Sequence, residues 1–373
     1  MFPVLHIGSV KNILGVEGAS PYLFHFSDRF SVFDWGSMPD ELDEKGTALA
    51  VMADFFFRQM QGADTWQKLE LPADLKASQT YEDFCANGLS HHSLGLCDEA
   101  GNATTEATPY LKVEPVIVPV LPFDDGAYDY QVYAGQPVKT LVPLEVIFRF
   151  GVPEGSSLLQ RTNDADYCRA IGLDTAPQPG ECFEQPIIEY STKLESSDRY
   201  ISYADAQRVS GMTDKEFSSL HETVQLLALH LKSIFANCNV ELWDGKFEFS
   251  FAPDKHADGS RKLWLVDSIG PDELRMTYHG VQLSKENLRR FYRDSEWHQA
   301  IDLAKHLAAD RGIKDWKDIC EGELSSSPVP LSSEVKEASE MMYKTIANEL
   351  SKACDGRESF PGAWDFDTLI HKI

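Results

Sequence analysis

The chain has 373 residues, with 34 Lys plus Arg against 59 Asp plus Glu, a formal net charge of −25. That balance excludes broad binding to nucleic-acid phosphates and disfavours docking on anionic lipid, since both need a basic surface. Hydrophobic residues at 43% and charged residues at 25% are ordinary for a globular protein, and the length suits about two domains with a sizeable core. No segment is apolar for long enough to cross a bilayer. The start, Met1-Phe-Pro-Val-Leu-His-Ile-Gly, lacks the basic and apolar regions of a secretory signal. The seven cysteines form no CxxC pair and fit neither a zinc site nor a disulfide framework. They read as reduced cytoplasmic thiols.

Short strands with tight turns fill the N-terminal region, one of them over residues 10–16. Residues 47–59 are apolar on more than one face (Leu49, Val51, Met52, Phe55, Phe56) and read as a buried helix. Residues 86–110 are loops around a short strand, and three prolines keep 113–122 from being a central strand throughout. Residues 141–150 are strand-like and enter a Gly/Ser loop. A domain break is placed near Pro143. Ser202 and Thr213 can cap helices, and Thr213-Asp-Lys-Glu spells a capping box before one long helix reaching Asn237. The clearest hairpin pairs Lys246-Phe-Glu-Phe-Ser-Phe with Lys262-Leu-Trp-Leu-Val-Asp across a polar loop. Residues 284–293 and 295–311 look helical, 321–330 is a Ser/Pro linker, and 332–353 is a last helix before an aromatic tail.

Five constellations carry chemistry, each with a plainer alternative. Alternation puts Phe247, Phe249 and Phe251 on one hairpin face and Glu248 on the other, toward a cleft that Asp267 also reaches. Two such carboxylates suit Mg²⁺ completed by substrate phosphates; the alternative is an exposed edge-strand Glu and a turn Asp. Gly8-Ser-Val-Lys11 offers backbone N–H groups and an ammonium to a phosphate, or is a surface hairpin. Ser27-Asp-Arg-Phe-Ser-Val-Phe-Asp34 presents Asp28, Ser31 and Asp34 over an aromatic base, or is a capped turn. Arg149 with Gly155-Ser-Ser-Leu-Leu-Gln-Arg161 suits a phosphate or carboxylate, or is a loop with solvated arginines. Ser191-Thr-Lys-Leu-Glu-Ser-Ser-Asp198-Arg199 is a dense charged stretch, or an ordinary polar loop.

Taken together and in order, these elements resemble one family, phosphoribosylaminoimidazole-succinocarboxamide synthase (SAICAR synthetase), over residues 5–300. The resemblance also rests on Lys45-Gly46, on Val142-Pro-Leu-Glu-Val-Ile-Phe-Arg149 and on Pro271-Asp-Glu-Leu-Arg275. It implies a two-domain α+β fold whose nucleotide cleft is similar to those of ATP-grasp enzymes and kinases. The units would be a β-rich nucleotide-binding domain (1–143), a substrate and metal domain (144–320) and a helical extension packed on the core (321–373). It further implies an ATP- and Mg²⁺-dependent ligase joining a carboxylate of an imidazole ribonucleotide (CAIR) to L-aspartate.

By position, Gly8, Ser9 and Lys11 would meet ATP, and Glu248 and Asp267 would hold Mg²⁺ and nucleotide. Arg149, Ser156 or Ser157, Arg161 and Arg275 would bind the ribonucleotide, with Asp28, Ser31 and Asp34 in the same pocket. Lys193 and Asp198, the catalytic candidates, would lie near the aspartate or the reacting groups. Partners would be small molecules, with no nucleic acid and no membrane, in a cytoplasmic protein for which a homo-oligomer is compatible. The net charge then predicts an acidic exterior around a locally basic cleft. Two other readings stand beside this one: a paralogous ligase with a different amine or acid, and a non-catalytic nucleotide-binding module recruited through the extension.

Overall fold

Alternation in the second half of the chain builds the sheet that matters most. The computed structural model describes residues 2–153, 155–313 and 315–373. A seven-stranded sheet contains β8 (Leu141–Gly151), β9 (Cys182–Thr192), β10 (Tyr200–Ile201), β11 (Val240–Lys255), β12 (Arg261–Val266), β13 (Leu274–Tyr278) and β14 (Val281–Gln282). Its order is β10-β9-β8-β11-β13-β14. The sixteen-residue β11 is long enough to pair β13 with its first half and β12 with its second. Phe247, Phe249 and Phe251 are buried in the core beside Phe148 of β8, whose ring stacks on Phe247 at 4.9 Å. The helix Asp214–Ala236 packs against β8, β9 and β11. It starts on the expected capping box, in which Thr213 and Glu216 satisfy each other's backbone N–H groups.

The first sheet has the order β1-β2-β3-β5-β4, from β1 (Val4–Ile7), β2 (Lys11–Leu14), β3 (Tyr22–Phe26), β4 (Ser93–Leu96) and β5 (Tyr110–Val113). A small hairpin, β6 (Phe123–Asp124) and β7 (Ala127–Tyr128), follows. The turn from β1 to β2 closes by a Gly8 N–H bond to the Lys11 carbonyl at 3.0 Å. A Cβ on Gly8 would meet that oxygen at 2.5 Å, so only glycine brings Lys11 in so closely.

The buried helix runs Lys45–Gln61, packed on β3 and β4 and on the C-terminal helix Ser333–Asp355. It is apolar nearly all round because it is covered nearly all round. The C-terminal helix and the aromatic tail cover this chain's own core: Met342, Tyr343, Ile346, Leu350, Phe360 and Phe366 are all buried. Three boundaries differ from the sequence reading. The strand expected over 10–16 is shorter, Lys11–Leu14. Residue 143 lies two residues inside β8. The linker expected at 321 begins inside a helical turn, Ile319–Glu323. Among the described residues no helix is long and apolar enough to cross a membrane.

Candidate active site

The face of the seven-stranded sheet opposite the phenylalanines is a band of charge. Glu145 and Arg149 of β8, Glu189 of β9, and Asp244 and Glu248 of β11 all occupy it and are all buried. Register sets the neighbours. Asp244 lies opposite Arg149 on one side and Arg275 on the other, and Glu248 lies opposite Glu145 and Val266. A cleft of about 590 Å³ opens over this band, lined by Arg149, Ser157, Asp198, Lys246, Arg275 and Lys285 among others.

At one end, Asp267 follows β12 in a left-handed conformation (φ 66°), which a non-glycine residue adopts at a cost that functional sites often carry. Lys11 makes an ion pair with it, and His92 Nε2 stands 3.1 Å from its carbonyl oxygen. Burial holds the His92 imidazole down to about 4, so near neutral pH it donates Nε2–H to that carbonyl. Lys193 Nζ bridges Glu248 at 2.7 Å and Glu145 at 2.9 Å, and Lys246 meets Glu145 at 2.7 Å. Burial, then the facing charge of Asp267, raises the Glu248 carboxyl above its ordinary range. Burial is the largest influence on Asp267 and works to raise it, but Lys11, Lys193 and Lys246 together outweigh it and hold that carboxyl low.

At the other end, Asp244 accepts from Arg149 Nη1 at 2.8 Å and Arg275 Nε at 2.7 Å. Glu189 binds Arg149 and, at 2.7 Å, Arg161, whose guanidinium lies 3.4 Å from the Tyr200 ring centroid. Burial would lift Glu189, but the two arginines outweigh it and keep it ionised. Ser157 is exposed on the cleft, whereas Ser156 is buried and its Oγ accepts from the Leu158 N–H at 3.4 Å.

The five expected cations thus lie along one charged band. Lys11 and Lys193 both act on Asp267, while Arg149, Arg161 and Arg275 are joined through Asp244 and Glu189. Asp198 is exposed at the mouth of the cleft, where partial desolvation of its carboxyl by the cleft wall, then Glu145, raises it, and it is within electrostatic reach of Lys193 and Asp34. Asp34 itself is open to solvent, 3.3 Å from Lys305. Of the expected site residues Arg149, Ser157, Asp198 and Arg275 line this cleft, whereas Lys11, Arg161, Lys193, Glu248 and Asp267 lie beside it, each held in an ion pair. Asp28 and Ser31 are also outside its lining: Asp28 Oδ1 accepts from the Gly46 N–H at 2.9 Å, tying its turn to the buried helix, and Ser31 is buried. Ser9 and Gly8 offer their carbonyls to Arg29 at 3.3 and 2.9 Å.

The expectation of a locally basic cleft needs correction, because as many carboxylates as cations line it among the described residues. The buried guanidiniums and most of the ammoniums are paired with acids, several of them shared, since an unpaired buried charge is costly. The edge-strand alternative for Glu248 is also overturned, since β11 is central and the side chain buried. Glu145, Glu189, Asp244 and Lys246 were not singled out from the sequence. The available signal was polar residues at two-residue spacing, as in Asp244-Gly-Lys246-Phe-Glu248.

No group of three or more His, Cys, Asp or Glu among the described residues could hold a metal unaided. Glu248 and Asp267, two mutually repelling carboxylates, are a donor set that fits Mg²⁺ completed by phosphate oxygens and water.

The sequence matches the family model described as SAICAR synthetase over residues 4–303. The chain belongs to the SAICAR synthetase family. A protein of Archaeoglobus fulgidus, provisionally named phosphoribosylaminoimidazole-succinocarboxamide synthase, is 33% identical over 368 residues, 95% of each chain. Two solved structures are similar in fold. SAICAR synthase of Saccharomyces cerevisiae complexed with SAICAR has a TM-score of 0.53 at 18% identity, covering 96% of both chains. A SAICAR synthetase in complex with ADP has a TM-score of 0.50 at 21% identity, covering 88% of this chain and all of that one. The fold is accordingly the α+β fold of this family.

Proposed function

We propose that the protein is an ATP-dependent carboxylate–amine ligase. It joins the carboxylate of CAIR to the amine of L-aspartate and gives SAICAR, ADP and phosphate, a step of purine biosynthesis. One observation carries this reading: in a chain that matches the family over residues 4–303, the expected cations and the carboxylate pair are held in ion pairs on one face of the larger sheet and, through Lys11 of β2, against the smaller one.

A free carboxylate is a poor acyl donor because its leaving oxygen is strongly basic, and phosphorylation supplies a better leaving group. The protein's task is then to hold several anionic groups together. We assign Lys11, with the Gly8–Ser9 turn, to the ATP phosphates. Glu248 and Asp267 would hold Mg²⁺, which when bound supplies positive charge against those phosphates. Lys193 and Lys246 favour the ionised forms of Glu248 and Glu145. Arg149, Arg275, Arg161 and Ser157 are assigned to the ribonucleotide. Asp244 and Glu189 fix the guanidiniums before the ligand arrives, so that little reorganisation is left for the reaction. Lys193 and Asp198 are assigned to the amine side, with Asp34 at its rim.

A division into two β-containing units and a helical extension is in keeping with the two larger sheets, whose strands come from 4–113 and 141–282, although the proposed bounds at 143 and 321 fall inside β8 and inside the turn Ile319–Glu323. The reading carries with it a cytoplasmic location. The test is ADP release with ATP, Mg²⁺, CAIR and aspartate. Aspartate-dependent release is expected, and its absence at saturating substrates overturns the proposal. A panel of amino acids in place of aspartate tests the paralogue, which a stronger preference for another amine would favour.

A further inference from the structure

The helix Ser333–Asp355 lies outside the residues that the family model matches, yet it reaches the wall of the cleft. Tyr343, fully buried, donates its hydroxyl to Asp272 Oδ1 at 2.7 Å. Lys45, which has no exposed surface, donates to Asp272 Oδ2 at 3.0 Å, and its ammonium lies 5.1 Å from the centroid of the Tyr343 ring. Both oxygens of Asp272 are therefore held from behind, although Asp272 lines the cleft. The neighbouring cation on that wall is Lys285. It lines the same cleft, is half-buried, and its ammonium makes no ion pair or hydrogen bond among the described residues. Arg289 lines the wall with it, held by Glu286 at 3.1 Å.

We propose that Tyr343 is a positioning residue: by holding Asp272 on Lys45 it keeps that carboxylate from neutralising Lys285, which stays open, beside Arg289, to an anionic group of a substrate. The group is a carboxylate of the amine substrate or the phosphate of the ribonucleotide. The inference rests on this cleft being the ligase site.

Electrostatics agree with the geometry. Burial lowers the Lys285 ammonium, and Lys45 and Arg289 add to that, with Asp272 opposing. Burial would raise Asp272, but Lys45 and then Lys285 outweigh it and hold it down to about 2. Asp272 is thus a full negative charge within reach of two lysines. A phenol hydrogen bond to an ionised carboxylate is a strong, directional constraint. Without it, Oδ1 is released to turn toward the unpaired ammonium, and the anion site is lost to an internal ion pair.

The test uses the full chain and the variants Tyr343→Phe and Lys285→Met. Tyr343→Phe keeps the ring beneath Lys45 and removes only the hydroxyl. It should raise KM for either CAIR or aspartate about tenfold while kcat stays within about twofold. Lys285→Met should raise the same KM, and the double variant should be no worse than Lys285→Met alone. The Lys285 side chain makes no bond among the described residues, so this second variant keeps the test open should Tyr343→Phe fold poorly.

Thermal shift with inorganic phosphate and, separately, succinate distinguishes the two sources. The wild-type chain should gain from one of them, and the gain should vanish in both variants. Unchanged KM values in Tyr343→Phe, additive effects in the double variant, or no gain from either probe in the wild type would each overturn the inference. Aspartate-dependent ADP release by the wild type judges the ligase reading separately.

Discussion

Replacing Lys193 with methionine asks whether charge holds the buried band beside the cleft. Lys193 Nζ lies 2.9 Å from Glu145 and 2.7 Å from Glu248, and both carboxylates are buried. Lys246 still meets Glu145 at 2.7 Å, so the loss falls mainly on Glu248. A buried carboxylate stripped of its partner costs about 3–5 kcal/mol, but Glu248 has a cheaper escape, which is to take up a proton. Burial and Asp267 already raise it above the ordinary 4.5, so protonating it at pH 7 costs less than the roughly 3.4 kcal/mol of an ordinary glutamate. Lys193→Met should therefore lose on the order of 2–3 kcal/mol at neutral pH.

The sign follows from the folded-state value exceeding the unfolded one. The variant's deficit is smallest at acid pH and grows with rising pH, by at most about 1.4 kcal/mol per pH unit, as ionisation is forced. Urea unfolding of both proteins at about pH 5, 7 and 8 measures it. Turnover should fall at least about 100-fold at neutral pH, because a protonated Glu248 offers a metal no charge, and part should return at higher Mg²⁺. A deficit that is the same at all three pH values, or below about 0.5 kcal/mol throughout, would refute the reasoning.

Ser157→Ala should raise KM for CAIR several-fold with little change in stability, whereas Ser156→Ala should leave KM alone, since only Ser157 lines the cleft; steady-state kinetics separate them. Burial first, then Asp272 and Asp267, pushes Glu273 up to about 8. The wild type should accordingly lose stability as pH rises from about 4.5 to about 8, and Glu273→Gln should melt higher than wild type at the alkaline end but not near pH 5. Parallel melting curves would count against it. Arg261 and Glu216 form a buried pair remote from the cleft, in which burial is outweighed by bonds from Arg261 that hold Glu216 down to about 2. Arg261→Met should cost about 3–5 kcal/mol at neutral pH. The cost should shrink as pH falls below about 4.5 and Glu216 takes a proton, with every KM unchanged in the folded fraction.

Local pattern carried much of this fold. The alternation at residues 246–251 told which way Glu248 points, and the spelling of residues 213–216 placed the start of the long helix at Asp214. What stayed hidden depends on contacts between distant residues. Asp244 looks like a turn residue before a glycine, yet it joins arginines 95 and 31 positions away. Asp28 shares the spacing of Ser31 and Asp34, but its carboxylate is taken by a helix N–H that no spacing reveals. Lys45, Asp272 and Tyr343 meet only because the C-terminal helix folds back onto the first one. The charge of −25 likewise says nothing of pairing, and in the cleft pairing governs how each cation points.

A structure of the chain with ATP, Mg²⁺ and CAIR bound tests the central claim most directly. It should show the ribonucleotide phosphate between Arg149 and Arg275 with the Ser157 hydroxyl. The ATP phosphates should lie against Lys11, and the metal should touch Glu248 and Asp267. A ribonucleotide bound away from the two arginines that share Asp244, or a nucleotide lying outside this cleft, would contradict it.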